Sequence, residues 1–255
     1  MEFAPNGFKR RLRAGETQIG LWCSLCSPIA AEVVADSGFD WLLHDTEHSP
    51  NELPNIVAAL QAVQGRPSTA AVVRPAWNDL VLIKRILDVG AQTIIVPYVQ
   101  NADEARRAVE AARYPPAGVR GVTGSGRASR YGRVTDYLKK ANDEICVLVQ
   151  VETRQALGEI ESIAAVDGVD GIFIGPSDLS ASFGLIGQPG HPEVQAAIED
   201  AGRRIRAAGK GAGILSGAEA DSRRYIGWGF NFVAVGTDLV LLARATDALA
   251  KTFKG

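Results

Sequence analysis

The chain has 255 residues, 27 of them basic and 29 acidic, for a formal charge of −2. That length suits one (β/α)8 barrel, typically about 250 residues, and the near-neutral balance argues against nucleic-acid or anionic-membrane partners. The longest apolar runs are of strand length, which argues against a membrane span.

The N-terminus, Met1-Glu-Phe-Ala-Pro-Asn-Gly-Phe-Lys-Arg-Arg-Leu-Arg13, lacks the apolar stretch of a signal peptide. Three cysteines, Cys23, Cys26 and Cys146, form an odd and sparse set that suits a reducing cytoplasm. Cys23 and Cys26 make a C-x-x-C without a second pair or clustered histidines, and we read them as small packing residues.

Eight β-branched, apolar runs follow in order: Ile19–Ser24, Trp41–Asp45, Ala70–Arg74, Thr93–Tyr98, Ile145–Glu152, Gly171–Gly175, Gly211–Leu215 and Phe232–Gly236. Most are apolar at successive positions, as expected of parallel strands covered on both faces. Between them, 51–64, 80–89, 102–112, 191–208 and 218–228 carry helical periodicity. Asn101 stands three residues before Glu104, a capping-box spacing, and Gly90 and Gly209 stand where helices should stop. Eight alternations without a G-x-G-x-x-G after the first strand predict a single closed (β/α)8 TIM barrel over residues 1–255. The segment 114–133, rich in Gly and Arg, is too long for an ordinary connection. It fits a lid, a subunit contact, an anion-binding loop or a basic surface excursion.

Catalytic groups of such barrels lie at the C-terminal ends of strands. Glu152 closes the run ending at Val151, and Asp178 follows Gly175-Pro-Ser177. Two carboxylates on neighbouring parallel strands face one cleft and suit a hard divalent cation with open positions for a chelating 2-oxo acid. Each acid alone would read as a helix cap. With Gln150 and Arg74 aimed at the same mouth, the metal reading is preferred. No histidine neighbours either acid, so Mg2+ or Mn2+ is expected, with Co2+ overlapping in preference.

His48 is the general-base candidate, with Asp45 three residues earlier to hold its tautomer. Strand alternation turns His44 toward the helices, and His191 begins a helix. Arg74 ends an apolar strand and needs an anion, either a protein carboxylate or a substrate oxygen gaining charge. None of the seven lysines lies within or at the C-terminal end of a predicted strand, so no Schiff-base lysine is expected and carbonyl activation falls to the metal.

The segments Gly20-Leu-Trp22, Gly38-Phe-Asp-Trp-Leu-Leu43, Asp45-Thr-Glu-His48, Val73-Arg-Pro75, Trp77-Asn-Asp79 and Leu87-Asp-Val-Gly90 together resemble the HpcH/HpaI aldolases. So do Arg113-Tyr-Pro-Pro-Ala-Gly118, Gln150-Val-Glu-Thr153, the run 171–180 and Val235-Gly236. The resemblance implies a barrel of the phosphoenolpyruvate/pyruvate superfamily type and a metal-dependent pyruvate aldolase without an organic cofactor. It implies Glu152 and Asp178 as metal ligands, His48 as base and Arg74 as the stabiliser of enolate-like charge. Asp45 would support the base, with Asp88 reaching it from a neighbouring subunit. Gln150, Ser177 and Asp178 would contact the pyruvate unit, and Trp22 and Leu215 would line the aldehyde side. A homohexamer, a dimer of trimers with an exchanged helix, is also implied. The sequence departs from related ones at His44, often aliphatic, and at Ser177, sometimes Ala. Sugar-acid aldolases of the same family share these motifs, and an acyl-CoA lyase or a non-catalytic barrel is the more distant alternative.

Overall fold

Eight parallel strands pair in sequence order, and the last pairs with the first: β1 (Gln18–Cys23), β2 (Trp41–Asp45), β3 (Ala70–Arg74), β4 (Thr93–Val96), β5 (Cys146–Val151), β6 (Val169–Ile174), β7 (Gly211–Leu215) and β8 (Phe232–Thr237). The structure is a computed structural model and describes residues 2–255. Around the closed barrel lie α1 (Gly7–Arg13), α2 (Pro28–Ala35), α3 (Leu53–Val63), α4 (Leu80–Asp88), α5 (Ala102–Ala112) and α6 (Tyr137–Glu144). They are followed by α7 (Arg154–Leu157), α8 (Ile160–Ala164), α9 (Pro176–Ser182), α10 (Pro192–Ala207), α11 (Glu219–Gly227) and α12 (Asp238–Lys254).

The two-residue side-chain period divides the core into two shells. Trp22, Trp41, Leu43, Val72, Leu148, Phe173 and Phe232 fill the barrel interior, and Phe8 and Leu12 of α1 close its N-terminal end. Leu21, Cys23, Leu42 and the larger cluster around Ile94, Val149 and Ile172 pack outward under the helices. Large interior rings are matched to glycines: a Cβ at Gly20 would meet Trp41, and one at Gly213 would meet Phe232.

The strands differ from the sequence reading at their ends. β4 stops at Val96 because Pro97 offers no N–H and Tyr98 turns left-handed at φ 54°. β6 starts earlier, at Val169. The helix punctuation agrees: Asn101 accepts from Glu104 N, His191 caps α10, and Gly90 and Gly209 take φ of 104° and 74° after α4 and α10.

The terminal helix α12 is unlike the others. Asp238 is its buried residue, whereas Leu239, Leu241, Leu242, Leu249 and Phe253 are exposed. Exposed apolar patches of this kind mark interaction surfaces on proteins.

Candidate active site

β2, β3, β5 and β6 deliver Asp45, Arg74, Glu152 and Asp178 to one mouth, the C-terminal end of the barrel. The β2–β3 register sets Asp45 beside Arg74. Arg74 Nε donates to Asp45 Oδ1 at 2.8 Å and Nη2 donates to Oδ2 at 2.7 Å, a two-pronged contact. Its Nη1 lies 2.8 Å from Glu47 Oε2. The guanidinium sits 4.8 Å from the Trp22 ring centroid, and Trp22 Nε1 donates to Asp45 Oδ2 at 3.3 Å. Arg74 thus has protein partners: two of its five N–H groups donate to Asp45, while Nη1 faces Glu47 as an ion pair in which Glu47 Oε2 accepts no hydrogen bond. Burial works against the Asp45 charge, but the Arg74 hydrogen bonds and charge prevail and hold its pKa below the usual value.

Glu152 follows β5 directly. Its Oε1 accepts the Tyr98 backbone N–H at 3.0 Å, and its Oε2 accepts from Gln150 Nε2. The left-handed Tyr98 aims that N–H, and its ring stacks on Trp77 with centroids 5.7 Å apart. Gly175, at the end of β6, leaves the space Glu152 fills, since a Cβ there would collide with the carboxylate and crowd Gln150 Nε2. Glu152 is not a helix cap: Thr153 caps α7 through its hydroxyl, accepting from Ala156 N at 3.1 Å. Asp178 lies exposed in the first turn of α9, whose cap is Gly175.

Burial, reinforced by the charges of Asp178 and Glu47, pushes the Glu152 pKa up to about 7 against the pull of Gln150 and Arg74. Burial also raises Glu47 to about 7, with Arg74 opposing and Asp45 and Asp178 adding repulsion. Negative charge at the mouth therefore exceeds what Arg74 neutralises. The Gln150 Oε1 is buried there without a partner. Oxygen donors, excess negative charge and an orphaned acceptor fit a hard divalent cation. Among the described residues no three His, Cys, Asp or Glu side chains converge to enclose a metal.

His48 is largely exposed, and its Nε2 lies 3.9 Å from Glu47 Oε1. The expectation that Asp45 holds its tautomer is corrected: both Asp45 oxygens are committed to Arg74, Trp22 and the Glu47 backbone N–H. Trp22 packs on Phe173 at 5.5 Å, and Leu215 packs on the same cluster. Ser177 is exposed beside Asp178 on α9. Asp88 is not brought to His48 within the chain. It ends α4, near the start of β4 at the opposite end of the barrel, where Arg120 Nη2 donates to its Oδ1 at 2.7 Å. Arg120 is fully buried, 4.4 Å from the Tyr114 ring centroid, so this part of the 114–133 segment is anchored in the protein and is not a surface excursion.

Two site residues escaped the sequence reading. Glu47 sits between Asp45 and His48, beyond the end of β2, where strand alternation no longer tells which way a side chain points. Tyr98 acts through its backbone, and the only local signal is the preceding Pro97. His44 faces outward as expected, buried among Cys23, Cys26, Asn51, Asn55 and Asp238, and burial lowers its pKa to about 4. The described cysteines are all free.

A family model described as HpcH/HpaI aldolase/citrate lyase matches residues 18–245. The chain is 59% identical over 253 residues to a pyruvate aldolase of Rhizobium etli, covering 99% of each chain. It is 59% identical over 249 residues to the 4-hydroxy-2-oxo-heptane-1,7-dioate aldolase of Klebsiella pneumoniae, covering 97% of this chain and 94% of that one. A solved structure of an HpcH/HpaI aldolase/citrate lyase family protein from Burkholderia cenocepacia superposes with a TM-score of 0.94 at 39% identity, covering 98% of this chain and all of that one.

Proposed function

The chain belongs to the HpcH/HpaI aldolase/citrate lyase family, and from that premise we propose a divalent-metal-dependent aldolase that reversibly cleaves a 4-hydroxy-2-oxo acid to pyruvate and an aldehyde. Carbon–carbon lyase chemistry follows from the relatives named as aldolases. The dicarboxylate substrate in the Klebsiella relative's name points to succinate semialdehyde as the type product. The observation that carries the reading is the excess of carboxylate at the mouth, buried Glu152 and half-buried Glu47 with Asp178 nearby, set against the already paired Arg74.

In this proposal Glu152 and Asp178 would hold Mg2+, Mn2+ or Co2+, and a cation bound there would supply Lewis acidity to the 2-oxo group and its developing negative charge. Gln150 and Ser177 hold the pyruvate unit. His48 takes the proton of the 4-hydroxyl as the C3–C4 bond breaks and the aldehyde leaves along Trp22 and Leu215. N–H groups of Arg74 that Asp45 does not take donate to the oxygen that gains charge, while Asp45 fixes the guanidinium plane. The enolate carbon then recovers a proton, giving pyruvate.

We further propose that the whole chain is one aldolase domain working in the cytoplasm as a homohexamer, with Asp88 of one subunit completing its neighbour's site. Support comes from the bare apolar face of α12 and from the position of Asp88 far from its own His48. No described helix is long and apolar enough to cross a membrane.

The test is retro-aldol turnover of 4-hydroxy-2-oxoheptane-1,7-dioate, read as pyruvate release through lactate dehydrogenase. Removing a general base costs about 10²–10⁴-fold, so His48→Ala should fall by that much and Glu152→Gln at least as far. Unchanged turnover in either variant would overturn the assignment.

A further inference from the structure

At the end of the barrel opposite the catalytic mouth, a cavity of about 1000 Å³ opens between the starts of β3 and β4, the turn after α3 and the 127–137 segment. Its volume is in the range of small-molecule sites. Six arginines line it, Arg10, Arg11, Arg66, Arg127, Arg130 and Arg133, against the single acid Glu2.

Three of the six are neutralised by acids outside the cavity. Arg10 meets Glu144 at 3.5 Å, Arg11 meets Asp40 at 2.7 Å and Arg66 meets Asp36 at 2.6 Å. Arg127, Arg130 and Arg133 form no ion pair among the described residues. Arg127 is tied across the cavity instead: Nη1 donates to the Val89 carbonyl at 2.7 Å and Nη2 to Gln64 Oε1 at 3.2 Å. A Cβ on Gly90 would stand 2.8 Å from that Nη1, so the glycine makes room for the guanidinium. Burial, and the like charge of Arg130, push the Arg127 pKa down, with Tyr131 opposing.

The local backbone is shaped to present these side chains. Arg130, Tyr131 and Gly132 take successive left-handed conformations, φ 50°, 60° and 81°. The Ser129 hydroxyl holds the turn, accepting from Gly132 N at 3.0 Å. Strained backbone persists where the surrounding structure over-determines it, and such residues cluster at ligand clamps. Guanidinium groups match the flat, two-oxygen faces of carboxylate and phosphate.

We propose that this cavity is a second binding site, at the end of the barrel opposite this chain's own catalytic mouth, for a small dianion of the carboxylate or phosphate class, held by Arg127, Arg130 and Arg133. This site does not depend on the aldolase reading.

The experiment is a thermal-shift and calorimetric titration of the full protein with Mg2+ and saturating pyruvate present, so that the mouth is occupied. Succinate and inorganic phosphate are titrated separately, with chloride at matched ionic strength as the screening control. A saturable rise in Tm is expected with at least one of the two, and which one distinguishes the dicarboxylate source from the phosphate source. In Arg130→Gln/Arg133→Gln, at exposed side chains away from Asp88, the affinity should fall at least tenfold, while anion-free turnover stays within twofold of wild type. Arg130→Gln alone, at an exposed side chain, gives the same reading if the double variant does not fold. No saturable shift with either anion, a shift that chloride reproduces, or an equal shift in the variants would overturn the proposal.

Discussion

Gly175 makes room for Glu152: a Cβ at position 175 would occupy the space of the Glu152 carboxylate. One atom therefore links the end of β6 to the carboxylate that follows β5. The methyl of Gly175→Ala must push the carboxylate off its hydrogen bonds to Tyr98 N and Gln150. Disturbing the groups that orient a metal ligand typically costs about 10–100-fold in metal affinity. Titration of the variant with Mn2+ should show a loss in that range, with circular dichroism unchanged and turnover partly recovered at high metal. Unaltered Mn2+ affinity would mean that Glu152 does not bind the cation where it stands.

Metal binding should depend on pH through the same acids. Glu152 and Glu47 are raised to about 7, so below that pH a cation must displace protons. Apparent Mn2+ affinity should rise as pH increases through 7 and level off above it, with proton release measurable by calorimetry in buffers of different ionisation enthalpy. In Glu47→Gln, one source of repulsion is gone, and the midpoint should move to lower pH.

Arg74 and Asp45 form a buried pair, with side-chain exposures of 7% and 2%. Removing one partner of such a pair strands the other, at a cost of about 3–5 kcal/mol. Arg74→Ala should lose that much stability in urea unfolding, as well as turnover. Arg74→Lys keeps the charge but not the two-pronged geometry. It should recover much of the stability and much less of the turnover, a split expected only if the guanidinium also serves the reaction.

His44 gives a test that avoids the catalytic mouth. Burial lowers its pKa from 6.5 to about 4, so the unfolded chain binds the proton first. Its contribution to stability is fully present above pH 6.5 and is lost as pH falls toward 4. At 1.36 kcal/mol per unit the loss is roughly 3 kcal/mol. Unfolding of His44→Leu and wild type, compared between pH 7 and 4, should show the variant gaining on wild type by that order as pH drops.

Most of this architecture was legible in the sequence because it rests on local rules. Eight apolar runs with helical stretches between them predict the barrel, and Trp41–Asp45, Ala70–Arg74 and Gly211–Leu215 match the observed strands to the residue. Strand ends then place Arg74, Glu152 and Asp178 at the mouth, and period two sends His44 outward. What was not legible depends on contacts between distant segments. The commitment of Asp45 to Arg74, the place of Glu47 and the backbone donor at Tyr98 all arise where strands end and side-chain alternation lapses. The arginine cavity likewise joins Arg10, Gln64 and Arg127, which no spacing rule connects.

Asp88 and α12 together call for a test of assembly. Leu242→Glu with Phe253→Glu should reduce the mass measured by light scattering, because both exposed apolar side chains then carry charge. Mixing His48→Ala subunits with Asp88→Asn subunits, after dissociation and reassembly, should restore turnover that neither shows alone. Restoration requires that one subunit supplies His48 and its neighbour Asp88; its absence would confine Asp88 to its ion pair with Arg120.

The most direct measurement is exchange of the pyruvate methyl protons in D2O, followed by NMR, in wild type and Glu152→Gln, with Mn2+ and then with excess EDTA. It isolates enolate formation and is independent of which aldehyde the enzyme accepts. The account requires fast exchange in wild type that EDTA stops, that added Mn2+ restores, and that Glu152→Gln lacks. Exchange that survives EDTA, or that Glu152→Gln retains in full, would contradict metal-dependent enolate formation at the mouth where Glu152 and Asp178 stand.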